Sequence, residues 1–207
     1  MRPSPIKHHK KQWWLLTDDT RTPDPIHDIH VPAGVTSMPS MPPILLYRHY
    51  NHPHRLRHAR TWQRAHRCRY PLSFAWLPST RAPLTTSALH IPAPLLATPA
   101  LSKWGLYLRY RPRLSCSTSA HTPRQFWRAH KTAAIDSIIL APLFPTQSPA
   151  SRPLFPYFLA LRLAHTSTKP IIALGGINAT TSRRLRHHPF AGMGAVDAFR
   201  KKNHTEA

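Results

Sequence analysis

Among the segments able to do chemistry, the most explicit is residues 169–178, Lys-Pro-Ile-Ile-Ala-Leu-Gly-Gly-Ile-Asn, where an apolar run ends on Gly175 and Gly176. Asn178, Ala179 and Thr180 then look like a short cap leading into a helix. Lacking side chains, two glycines let backbone N–H groups come close to an anion, and a helix N-terminus behind them adds a favourable dipole. A plain tight turn would use the same pair. The next apolar segment, residues 192–199, favours the anion reading, because phosphate sites of β/α barrels are commonly shared by the loops of the seventh and eighth strands.

Two other clusters suggest chemistry of a different kind. His54 and His58, with His52 nearby, stand one helical turn apart and invite a zinc reading, but no cysteine or carboxylate accompanies them, so a solvated helix surface is the simpler expectation. Arg55, Arg57, Arg60, Arg64, Arg67 and Arg69, with Trp62 and Tyr70 interleaved, could clamp phosphates and stack on bases. Arginine is enriched along the whole chain and no nucleic-acid module is visible, so compositional bias explains the run more simply than specific nucleic-acid binding.

The charge balance limits what carboxylates can do. Lys and Arg total 29 against 7 Asp and Glu, a formal charge of +22 that attracts any polyanion. The acids sit at the two ends, Asp18, Asp19, Asp24 and Asp28 early and Asp136, Asp197 and Glu206 late, with none from residue 29 to 135. Two cysteines, Cys68 and Cys116, and the lack of an apolar leader or membrane-spanning run fit a soluble protein of the reducing cytoplasm.

These residues must be held by many short elements, since 24 prolines and only 6 glycines punctuate the chain without a repeat. Eight apolar runs read as strands: 13–17, 44–47, 72–76, 88–91, 114–117, 137–141, 171–174 and 194–198. Helical spacing appears between several of them, in Leu56, Ala59 and Trp62, in Phe126, Ala129 and Ala133, and in Leu154, Phe158 and Leu161. Proline discourages a regular helix after Asp19 and after Ile91. Strands apolar throughout and separated by helices indicate parallel β/α units. The expectation is a single-domain (β/α)8 TIM barrel over residues 13–200, with a basic, flexible arm at 1–12 and a polar tail at 201–207.

The order of motifs resembles the thiamine phosphate synthase family, which includes the thiazole tautomerases. The likeness rests on Trp14-Leu-Leu-Thr-Asp-Asp19, Ser119-Ala-His-Thr122, residues 141–148 (Ala-Pro-Leu-Phe-Pro-Thr-Gln-Ser) and the Gly175-Gly176 strand, with weaker echoes in residues 46–50 and 89–92. It implies an enzyme of thiamine biosynthesis, a transferase in which an aminopyrimidine diphosphate loses pyrophosphate and is captured by a thiazole phosphate nitrogen. By the same likeness Arg48 contacts the diphosphate and Ser119 lines the pyrimidine site. Thr146 and Ser148 hold the thiazole phosphate side, and Gly175, Gly176 and the backbone at Asp197 and Ala198 grip that phosphate. The tautomerase alternative makes His121 an acid or base. A homo-oligomer is compatible with the family.

The resemblance also implies magnesium, but its ligands cannot be identified here. Where the family carries an Asn-Asp pair after the third strand, this chain has Trp76, Leu77 and Pro78, and the fourth-strand aspartate position is Leu95. Tyr50 and Pro149 replace two customary lysines. These departures set up an expectation of reduced or lost transfer activity.

Overall fold

The computed structural model describes residues 11–19, 22, 24, 43–49, 51, 53–54, 57–59, 61, 88–97, 115–146 and 153–196, together with the backbone of 72–75. Eight parallel strands close into one barrel in sequence order: β1 (Gln12–Leu16), β2 (Ile44–Tyr47), β3 (Leu72–Ala75), β4 (Ala88–Ile91), β5 (Ser115–Ala120), β6 (Ser137–Leu140), β7 (Ile171–Leu174) and β8 (Gly192–Ala195). Closure is made by β1 against β8, with Trp13 opposite Met193 and Trp14 opposite Gly194. The expected (β/α)8 barrel is therefore the fold.

Alternation along each strand splits the apolar residues into two layers. Trp14, Leu16, Leu46, Ile139, Ala141, Ile172 and Leu174 pack together inside the barrel. Leu15, Leu45, Leu89, Ile138, Leu140, Ile171 and Ala173 point outward, against helix residues such as Phe126, Ala129, Ala160, Leu163 and Leu185. This two-sided burial is why the strands carry almost no charge.

Among the described residues of the second half lie three helices: α1 (Pro123–Lys131), α2 (Tyr157–Thr166) and α3 (Ala179–Leu185). Thr122 caps α1 through its side chain, and Pro123 stands at the first helical position. Phe126 and Ala129 bury as expected, but Ala133 lies beyond the helix and is exposed. In and before α2 the expected stripe holds only at Leu161, which packs against the core; Phe158 is 83% exposed and Leu154 is exposed, while Phe155, Ala160 and Leu163 are buried. Pro156 is the N-cap of α2, and the buried face falls on Ala160 and Leu163. After β4 the described residues form a 3-10 turn, Ala93–Ala97, in keeping with the prolines there.

Two lysines tie helix ends to the barrel floor. Lys169, just before β7, donates from Nζ to Ala129 O at 3.2 Å and Thr132 O at 2.6 Å, at the end of α1. Lys11 donates to Leu185 O and, at 2.6 Å, to His188 O, beyond α3. A cation at a helix C-terminus satisfies carbonyls that have no partner within the helix. Burial lowers both ammonium pKa values, that of Lys11 to about 8. Residues 1–10 and 197–207 lie outside the described residues, so the structure bears on the expected arm only at Lys11 and Gln12, which belong to the fold.

Candidate active site

The inner face turns polar toward the carboxyl ends of the strands. On β5 the inward positions are Ser117, Ser119 and then His121 just past the strand, and β4 contributes His90 in register with Ser117. His90 is buried, with Nδ1 3.0 Å from Ser117 Oγ and Nε2 3.2 Å from Ser119 Oγ. Burial, then the positive charge of Arg48, then His121 drive its pKa down to about 3, so the ring is neutral at physiological pH.

Arg48 follows β2 and is anchored by the end of β1. Its backbone N–H donates to Thr17 Oγ1 at 2.9 Å, its Nε donates to Thr17 O at 3.1 Å, and its Nη2 stands 4.0 Å from Asp18 Oδ2. His121 Nδ1 lies 2.7 Å from Ala141 O, which can only accept, so Nδ1 carries the proton and the ring is clamped to the end of β6. Arg48, Ser119 and His121, three of the residues expected from sequence, thus gather around His90 at one end of the barrel.

The glycine turn follows β7. Gly175 and Gly176 have φ of 93° and 64°, which other residues rarely adopt. The loop after β6 leans on both: a Cβ at Gly175 would meet Pro142 Cβ at 2.6 Å, and one at Gly176 would meet Pro145 O at 2.4 Å. Two backbone bonds join these loops, Leu143 N to Leu174 O at 2.9 Å and Phe144 N to Gly175 O at 3.1 Å. Close loop packing therefore accounts for both glycines, whether or not an anion binds there. The expected cap is present: Asn178 Oδ1 accepts from Thr180 N and Thr181 N, both at 2.9 Å. These first-turn donors of α3 are spent on the cap, which narrows the anion reading to the glycine turn itself.

Of the remaining expected residues, Thr146 is half-buried at the end of the loop packed on Gly176, whereas Ser148, Asp197 and Ala198 lie outside the described residues. His90 is the site residue that the sequence reading missed. Its signal was available: a histidine inside an apolar strand, at the alternate position that faces inward. The solvated helix face expected for His58 is also corrected. His58 Nδ1 is 2.7 Å from the hydroxyl of buried Tyr47, and its ring lies against that of His49. His52 lies outside the described residues, and those residues hold no cluster of three or more His, Cys, Asp or Glu able to bind a metal.

Among the described residues the donor set does not fit a magnesium site of the implied kind. Leu95, at the fourth-strand aspartate position, is apolar and packs against the outer core, and residues 76–78 have no carboxylate to offer. The two carboxylates that follow β1 are already engaged, Asp18 beside Arg48 and Asp19 accepting from Asn51 N at 3.2 Å. Cys116 is no nucleophile: burial first, and Asp136 second, push its thiol up to about 12.

A closed parallel barrel in sequence order, with polar groups at the carboxyl ends of the strands, is a (β/α)8 barrel. Residues 109–199 match the family model described as thiamine monophosphate synthase. The chain is 34% identical over 84 residues to the thiamine-phosphate synthase of Pasteurella multocida, covering 40% of this chain and 38% of that protein. It is 32% identical over 91 residues to that of Histophilus somni, covering 43% and 41%. The chain thus matches about two fifths of the length of these curated relatives. Its fold is that of the thiamine phosphate pyrophosphorylase structure from Pyrococcus furiosus, with a TM-score of 0.64 at 16% identity over 92% of this chain and 88% of that one. Residues 109–199 thus resemble the thiamine phosphate synthase family, and the barrel as a whole shares the fold of the solved pyrophosphorylase. No helix among the described residues is long and apolar enough to cross a membrane.

Proposed function

We propose that this barrel acts in thiamine biosynthesis, joining an aminopyrimidine, delivered as its diphosphate, to the nitrogen of a thiazole phosphate. The observation that carries the reading is the gathering of Arg48, Ser119 and His121 around the neutral His90 at the carboxyl end of the barrel. In the reaction the C–O bond to the diphosphate breaks, pyrophosphate leaves with the electron pair, and the thiazole nitrogen forms the new C–N bond to the pyrimidine cation. Arg48, held by Thr17, supplies fixed positive charge for the departing diphosphate. Ser119 orients the pyrimidine, and Thr146, Ser148, the Gly175–Gly176 turn and the backbone at Asp197 and Ala198 hold the thiazole phosphate. Because the donor set does not fit magnesium, no step here is assigned to a metal.

The test is incubation of the purified chain with both substrates, with and without magnesium, beside an active control enzyme. Thiamine phosphate formation supports the reading, and its absence where the control works refutes it. A thiazole tautomerase is the second reading, favoured by the clamp on His121: with the proton on Nδ1, Nε2 carries the lone pair that a general base needs. His121→Ala should abolish isomerisation of the thiazole carboxylate phosphate, and equal rates would remove His121 from that mechanism.

A further inference from the structure

The contacts of His90 determine more than its charge. Both ring nitrogens face serine hydroxyls, Ser117 Oγ at 3.0 Å and Ser119 Oγ at 3.2 Å, and Ser117 Oγ also lies 3.4 Å from Leu89 O. With the ring proton on Nδ1, three hydrogens fill the three contacts: Nδ1–H donates to Ser117, Ser117 donates to Leu89 O, and Ser119 donates to Nε2. With the proton on Nε2, Ser117 must donate to Nδ1, and the contact with Leu89 O falls between two acceptors. The first arrangement sets a donor against an acceptor at all three contacts, the second at only two.

The geometry points to His90 as a positioning residue that draws the Ser119 hydroxyl proton inward, so that Ser119 offers the barrel mouth only lone pairs and selects a ligand bearing an amine or N–H at that point. This rests on the proposed function for the identity of its ligand, an aminopyrimidine, but the direction of the hydroxyl follows from the barrel alone. A ligand with a carbonyl in that place would set one acceptor against another. The half-buried position of Ser119 makes that mismatch expensive, since water cannot fully repair it.

Two measurements on the full chain test it. With 15N-labelled histidine, NMR should show a ring in the Nδ1–H form that stays neutral from pH 8 to 5 and vanishes in His90→Gln. An Nε2–H form, or titration near the ordinary histidine range, overturns the inference. The second measurement compares binding of the aminopyrimidine diphosphate with that of its analogue carrying a carbonyl in place of the amine. The wild type and His90→Gln, whose amide oxygen can take the Ser119 proton, should prefer the amine by on the order of ten- to a hundredfold. His90→Leu and Ser119→Ala should bring the ratio toward one. A purely structural role for His90 would weaken both ligands alike and leave the ratio unchanged, which would refute the inference. If the wild type binds neither compound, the functional reading fails, and the tautomer measurement alone decides the direction of the hydroxyl.

Discussion

Replacing Gly176 by alanine tests the loop geometry on which the proposed phosphate side depends. At φ 64° an alanine pays a left-handed conformational cost of about 1–2 kcal/mol. Its Cβ would also stand 2.4 Å from Pro145 O, 2.7 Å from Phe144 Cβ and 2.8 Å from Phe144 O. Two of these are backbone oxygens that cannot rotate aside, so the loop itself must retreat by about 1 Å to reach ordinary contact. That movement strains the Phe144 N–Gly175 O bond of 3.1 Å, and overpacking of this kind costs about 1–3 kcal/mol. Together the loss is about 2–5 kcal/mol, which in a chain of this size lowers the melting temperature by about 4–20 °C. Thermal melts followed by circular dichroism, with urea titration to check that the m-value holds, measure it. The displaced loop carries Thr146, so binding of a thiazole phosphate should weaken as well. A variant that melts within 1 °C of wild type would show that the turn does not adopt this backbone conformation against this loop.

The α2 face is checked by two substitutions: Leu163→Ala in the buried layer should cost about 2–5 kcal/mol, and Phe158→Ser on the exposed side less than about 0.5 kcal/mol. A reversal in denaturant titration would restore the stripe expected from sequence. Because the His90 pKa falls from 6.5 to about 3, the unfolded chain binds the extra proton between those values; its contribution to stability is full above pH 6.5 and lost as pH falls toward 3. Comparing wild type with His90→Gln should show an excess slope of at most about 1.4 kcal/mol per pH unit in that window, and identical pH profiles would refute the buried neutral ring. With a formal charge of +22, raising NaCl from 0.05 to 0.5 M should raise the melting temperature by screening self-repulsion, and a fall would refute that account.

Much of the barrel was legible because its strands are apolar on both faces and bounded by proline or glycine. β2, β4 and β7 fall on the expected residues. β5 was read short and one residue early, since Ser-Cys-Ser-Thr-Ser-Ala carries little hydrophobicity; its inward serines serve a polar end of the barrel rather than a dry core. β8 was displaced because its glycines are weak signals alone, yet a Cβ at Gly192 would meet Gln12 O at 2.5 Å, so close pairing with β1 demands them. Ser119, His121 and the glycine turn could be found from motif order. The echo at residues 89–92 contained His90 but did not show its contacts with the serines, nor could motif order show the pairing of Tyr47 with His58, because both depend on which side of a strand faces which layer.

That dependence explains how a site can be assembled from unequal halves of the chain. The family match covers residues 109–199, which supply Ser119, His121 and the glycine turn, whereas Arg48 and His90 come from before it. His90 reaches Ser117 and Ser119 only because β4 pairs with β5 in one register, Leu89 opposite Cys116 and His90 opposite Ser117. A slip of one residue would turn His90 toward the helix layer and Leu89 into the barrel. Leu89 and Ile91, both buried in the outer core, oppose that slip, and Thr118 Oγ1 donates to Ile91 O at 2.6 Å to pin it further. A short apolar strand with only a weak motif echo is thus sufficient to deliver the imidazole, provided its alternation is kept. Substitutions at Leu89 or Ile91 should therefore disturb Ser119 through register, although neither side chain faces the site.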